Sequence, residues 1–157
     1  MNFKKIVSIS LLMLSILLML VSCTQVEPLT YEKFKSVAES QGFNVTLFQE
    51  KDLDYKEIKT YATAVNVDKQ LTVEFLKFET SSDASALFEK TVENISDDSD
   101  YKLLEPEAIT TRYIKISAEG DEMFYTLTQF DNTILMAYGP KDSLETISKV
   151  VSSMGYQ

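Results

Sequence analysis

Three stretches of the chain carry a helical period. Ala84, Leu87, Phe88, Thr91, Val92 and Ile95 recur at i, i+3, i+4, i+7, i+8 and i+11, the spacing of one buried helix face. Thr80 or Ser81 caps that helix. Earlier, Phe34, Val37 and Ala38 form a shorter stripe. Thr30 is its N-cap, and Leu29 and Phe34 hold the N′ and N4 positions of a hydrophobic staple. Gly42 ends it, with Phe43 folding back. The third helix runs from about Lys141 to Met154, burying Leu144, Ile147, Val150, Val151 and Met154, and is closed by Gly155 and Tyr156. Both C-termini read Gly-aromatic at the same offset from the apolar stripe. One common cap used twice accounts for this more simply than a duplication.

Elsewhere the period falls to two, the spacing of a strand. Tyr61 to Val67 alternates, Asp68-Lys69 turns, and Leu71 to Phe78 returns as a hairpin. Its alternation slips at Phe75-Leu76, which marks a bulge or a strand covered on both faces. Ile109 to Ala118, Glu122 to Phe130 and Thr133 to Tyr138 are three further strands, turning at Glu119-Gly120-Asp121 and Asp131-Asn132. Residues 44–58 are mixed and charged and read as a loop. Asp97 to Glu107, with Pro106, reads as an acidic connection. The order is α-ββ-α-βββ-α: class α+β, an antiparallel sheet of about five strands packed by helices.

The first 22 residues follow a different rule. Met1 to Lys5 is basic, and Ile6 to Leu20 is apolar apart from serines. Fifteen helical residues rise about 22 Å, short of the roughly 30 Å hydrocarbon core. The run therefore reads as a signal segment and not as a span. It ends in Leu20-Val21-Ser22-Cys23. This sequence resembles the lipobox of bacterial lipoproteins. The resemblance implies a diacylglyceryl group on the Cys23 thiol and cleavage just before it. It therefore implies residues 1–22 as signal peptide, 23–29 as lipidated Cys and short tether, and 30–157 as a single domain. It places the chain on the extracytoplasmic face of a cell membrane, held by its lipid. Two acyl chains anchor stably where one does not. The element order, the terminal Met-Gly-Tyr and the Asp-Asn-Thr turn resemble small lipoproteins of low-GC Gram-positive bacteria, a resemblance that implies no particular activity.

Composition then narrows the chemistry. The chain has 157 residues, 15 basic and 24 acidic, with no His and one Cys. Losing Lys4 and Lys5 with the signal takes the net charge from −9 to −11. Arg112 is the sole arginine. Nucleic acid is excluded as a partner, because a phosphate backbone needs clustered Lys and Arg. The acidic domain stands off an anionic lipid surface. With Cys23 lipidated, no thiol and no His remain for nucleophilic catalysis or zinc. Lys35-Ser36 and Ser148-Lys149 are adjacent on helices and face apart, so they are not dyads. The four glycines sit at caps and turns, and no phosphate-cradling loop exists. Asp97, Asp98 and Asp100 offer hard oxygens for Ca²⁺, but lack the regular calcium-loop spacing. No cofactor is implied.

The aromatics of the last three strands remain. Met123, Tyr125 and Leu127 share one face of the middle strand, and Phe124, Thr126, Thr128 and Phe130 share the other. Either helices cover both faces, or one face is open to a partner. Arg112, Tyr113 and Tyr125 are the candidate partner surface, since Tyr and Arg recur at interface hot spots. Arg112 could equally pair with an acidic neighbour across the sheet. The sequence thus favours a membrane-anchored, non-enzymatic binding module with an envelope partner. A small-ligand carrier with a pocket between helix and sheet is the alternative, and a carboxylate or Ser–Lys hydrolase is a third.

Overall fold

The computed structural model describes residues 27–49, 53, 55–104, 106–110 and 112–156, without the side chains of 107–110. The signal segment and Cys23 lie outside the described residues.

Among the described residues, three α-helices, α1 (Tyr31–Ser40), α2 (Ser81–Asp97) and α3 (Leu144–Ser153), pack on one sheet. The sheet has eight strands: β1 (Asn44–Phe48), β2 (Ile58–Asn66), β3 (Leu71–Phe78), β4 (Tyr101–Leu103), β5 (Glu107–Thr110), β6 (Tyr113–Gly120), β7 (Met123–Phe130) and β8 (Thr133–Pro140). Their spatial order is β1-β2-β3-β8-β7-β6-β4, with β5 also on β6. Every pairing is antiparallel.

This corrects the expected five strands and the order α-ββ-α-βββ-α. The observed order is α-βββ-α-βββββ-α. Each added strand has a physical reason for having been missed. β1 is an edge strand, exposed at four of its five positions, so no alternation marks it. β4 is three residues of the acidic connection, paired to Ala118–Gly120. The expected strand Ile109–Ala118 is a hairpin: Ala108 pairs with Ile114 and Thr110 with Tyr113, and the chain reverses at Arg112.

The helix ends are as their residues dictate. The Thr30 side chain accepts from Lys33 N–H at 3.3 Å, and Thr80 from Asp83 N–H at 3.2 Å. Gly42 and Gly155 adopt φ of +81° and +104°, open to glycine at little cost. Phe43 N–H then bonds Ala38 C=O, and Tyr156 N–H bonds Val151 C=O, so α1 and α3 end in the same Schellman motif.

Period-two alternation divides the core in two. On one face α1 and α3 cover Ala62, Ala64, Leu71, Val73, Phe75, Phe124, Phe130, Leu135 and Ala137. Phe34 of α1 stacks on Phe75 at 5.4 Å between ring centroids. On the other face α2 covers Leu76, Phe78, Leu127 and Ile134 with Ala84 and Phe88. The slip at Phe75-Leu76 resolves here. The β2–β3 register is continuous through both residues. Both are buried, one under α1 and α3, the other under α2.

A hydrogen-bonded link joins the ends of the domain inside the first core. Thr133 Oγ1 donates to Phe130 C=O at 2.7 Å. Its proton is thereby used, so the Tyr156 hydroxyl donates to Thr133 Oγ1 at 3.2 Å. The same hydroxyl accepts Leu29 N–H at 3.2 Å. The chain's entry and its last turn are thus held by one phenol.

Candidate functional site

α2 crosses only part of its face. Beside it lie side chains that alternation aims the same way from six strands. Phe48 of β1 lies opposite Tyr61 of β2 and stacks on it at 4.7 Å. Tyr138 of β8 lies opposite Tyr125 of β7 and stacks on it at 5.3 Å, nearly parallel. Tyr101 of β4 meets Tyr125 edge-on at 5.1 Å. Gly120, opposite Tyr101, makes room for that ring: a Cβ there would come within 2.7 Å of it.

Between the two stacked pairs stands Glu74 of β3. Tyr61 Oη donates to Glu74 Oε2 at 3.1 Å, and Tyr138 Oη donates to Glu74 Oε1 at 3.0 Å. One carboxylate thus fixes two rings and keeps acceptor capacity on each oxygen. Tyr61, Glu74, Tyr101, Tyr125 and Tyr138 are half-buried, and Phe48 is 38 % exposed.

Burial, then the Glu74 charge, then its hydrogen bonds push the Tyr61 and Tyr138 hydroxyls above the ordinary phenol range. Burial first, and then its bond to Tyr101, push Tyr125 up to about 12. All three stay protonated at neutral pH, as neutral hydrogen-bonding groups and not as nucleophiles. At the Tyr101 end the strip adjoins a cleft of about 320 Å³ lined by Asp100, Tyr101, Asp121, Glu122 and Met123.

The three residues proposed from sequence as a partner surface do not come together. Tyr125 lies in the strip. Tyr113 is 1 % exposed and stacks on Tyr156 at 5.8 Å, inside the α1/α3 core. A ring so enclosed offers no area to a partner, and it points from the opposite face. Arg112 pairs with Asp131 at the β7–β8 turn and lies over the Phe130 ring at 5.5 Å. Asp97, Asp98 and Asp100 end α2 and the turn after it; Asp98 Oδ1 accepts Asp100 N–H at 3.0 Å. Among the described residues no three acidic side chains are grouped to hold a metal.

Sequence reasoning missed Phe48, Tyr61, Glu74, Tyr101 and Tyr138 as members of one surface. One signal was available. A two-residue turn at Asp131-Asn132 fixes the register of its hairpin, and that register sets Tyr125 opposite Tyr138.

No protein-family model matches the chain, and no curated protein matches its sequence. Among solved structures it is similar to the crystal structure of a GTP-binding regulator from Thermotoga maritima. The TM-score is 0.53 and the identity 14 %, over 80 % of this chain and 87 % of that one. At this identity the likeness shows a shared fold.

Proposed function

We propose that the mature chain is a lipid-anchored, extracytoplasmic binding module that meets its partner with the tyrosine strip and carries out no reaction. The observation that carries this reading is the strip itself: stacked, partly exposed rings beside α2 on its face of the sheet, with Tyr61 packed along the edge of the α2 core. Aromatic rings with polar tips are the side chains most often used at interface hot spots. The Leu-Val-Ser-Cys motif supports the anchor. From Cys23 to Leu29 the chain reaches at most about 21 Å, and Leu29 is fixed by Tyr156. The domain would therefore stay near the bilayer. Leu29 belongs to the α1/α3 core, on the face opposite the strip.

The nucleotide in the structural neighbour's name is not carried over, because this chain has no glycine-rich phosphate loop. The carrier reading has one observation in its favour. Thr126 Oγ1 and Thr128 Oγ1 are buried on the α1/α3 face without a hydrogen-bond partner. Yet the core there is occupied by Phe34, Phe75, Tyr113 and Tyr156.

Labelling cells with an alkynyl fatty acid tests the anchor: label present on the wild type and lost in Cys23→Ala. Photo-crosslinking in intact cells tests the surface. A crosslinker at position 101 or 125 captures one saturable partner, and one at position 149 on α3 does not. Equal capture at all three positions would refute the strip as contact surface. A thermal-shift ligand screen that finds a small molecule stabilising the domain, with no strip crosslink, would favour the carrier.

A further inference from the structure

We infer that the strip accepts a cationic polypeptide segment, laid across the strands, with a Lys or Arg side chain seated on Glu74. This rests on the strip being the contact surface and goes further in naming what it contacts.

The charge pattern is the first argument. Around the strip, the strand positions that share its face are Asn44, Thr46 and Phe48; Tyr61, Thr63 and Val65; Thr72 and Glu74; Met136 and Tyr138; Met123 and Tyr125; Ala118 and Gly120; Tyr101 and Leu103. None is Lys or Arg, and Glu74 is the single charge. Of the nearby strand lysines, Lys77, Lys102 and Lys115 alternate to the other face, and Lys59, at the β2 bulge, pairs with Glu79 at 3.3 Å. None of the ion pairs formed among the described residues uses Glu74. The acids of the adjoining cleft, Asp100, Asp121 and Glu122, extend the negative field beyond Tyr101.

Chemistry is the second. A carboxylate already accepting two phenols still accepts from an ammonium or guanidinium, a charge-assisted bond. Flanking Tyr faces attract the same cation through their ring quadrupoles. An anionic partner would face Glu74 and the acidic cleft. A neutral sugar would stack on the rings but leave the carboxylate without a counter-charge.

Length is the third. From Phe48 on β1 to Tyr101 on β4 the strip crosses six inter-strand spacings of about 4.8 Å, roughly 29 Å. A single amine touches a fraction of that. An extended peptide of about nine residues spans it.

The test is calorimetric titration of the full chain in detergent micelles with a peptide of about nine alternating Lys and Ser residues. Binding is expected at low salt and weaker at high salt. Glu74→Gln and Tyr125→Ser should each weaken it about tenfold, or ~1.4 kcal/mol. Glu39→Gln, on α1 of the opposite face, should leave it unchanged. Circular dichroism checks that each variant folds; if Glu74→Gln does not, Tyr125→Ser and Glu39→Gln decide the matter. Equal losses in Glu39→Gln and the strip variants would mean diffuse charge attraction and overturn the inference. So would an absence of binding. A neutral, N-acetylated β-linked amino-sugar oligomer that binds, loses affinity in Tyr125→Ser and keeps it in Glu74→Gln would overturn the cationic occupant while leaving the strip as a contact surface. Failure of the strip reading itself shows separately, as missing crosslinks at positions 101 and 125.

Discussion

The two faces of the sheet use tyrosine in opposite ways. On the α1/α3 face, Tyr113 and Tyr156 are 1 % and 2 % exposed, stacked on each other, with the Tyr156 hydroxyl tying Leu29 to Thr133. On the α2 face, Tyr61, Tyr101, Tyr125 and Tyr138 stay partly in solvent, and two of their hydroxyls converge on a carboxylate. The same side chain closes one core and dresses one open surface. Helix cover makes the difference. Two helices span the first face; one helix crosses part of the second. Exposure of an aromatic therefore follows from which strand face it occupies, and not from its residue type.

The largest expected effect separates the faces by stability. Phe75 is fully buried beneath Phe34. Phe75→Ala should cost about 3–5 kcal/mol through lost transfer energy and the cavity left behind. Tyr125→Ala, from a half-buried ring on the other face, should cost less than half of that. Urea melts of both variants check the contrast. Comparable losses would mean that the strip is core and not surface.

A smaller effect comes from the phenol that links the ends of the domain. Tyr156→Phe keeps the ring and its stacking but removes two hydrogen bonds. Leu29 N–H loses its acceptor in a buried setting. The expected cost is about 1–3 kcal/mol. Amide exchange should show the loss concentrated at Leu29 and at the start of α1. An unchanged exchange rate at Leu29 would show that the bond does not hold the entry.

Both faces respond to alkali with the same sign. Tyr156 is raised by burial, partly offset by the Leu29 N–H that its oxygen accepts. Tyr61 and Tyr138 are raised by burial and then by Glu74, and Tyr125 stands at about 12. A phenol whose folded pKa exceeds its unfolded value near 10 stabilises the fold fully below that value. The contribution is lost as pH rises toward the folded pKa. Stability should therefore be level in this respect up to about pH 9 and fall from about pH 10 upward. Melts across that range on the wild type and on a Tyr61→Phe, Tyr125→Phe, Tyr138→Phe variant check it. The triple variant should show the shallower fall.

What the sequence made legible follows the same divide. The helices, their caps and the Gly-aromatic ends were readable because each is set by residues within one or two turns: Thr30 with Lys33, Thr80 with Asp83, Gly42 with Phe43. The β2–β3 and β7–β8 hairpins were readable for the same reason. β1, β4 and β5 were not. Each is an edge or a short strand whose pairing is decided by a distant neighbour, and each lacks two clean faces. The strip was illegible as a unit because it draws single residues from strands far apart in the chain. Phe48 and Tyr101 are brought to one surface by a strand order that places β8 between β3 and β7. Tyr113 and Tyr125 look alike in sequence. Strand parity alone sends one inward under α3 and the other to the open half.

Arg112 provides the smallest and sharpest contrast, because sequence alone grouped it with Tyr125. It caps the turn opposite the strip, pairing with Asp131 while its guanidinium lies over Phe130. The arginine side chain is 64 % exposed, so its ion pair is screened and is worth roughly 0–1 kcal/mol. The ring contact adds about 0.5–1 kcal/mol at an exposed site and is less sensitive to salt. The backbone bond from Asp131 N–H to Arg112 C=O does not need the side chain. Arg112→Ala should therefore lower stability by about 1 kcal/mol at low salt, and by less at high salt, which screens the ion pair more than the ring contact. Peptide binding at the strip should be unchanged. A loss of binding in Arg112→Ala with Tyr125→Ser silent would reverse the assignment of the two surfaces.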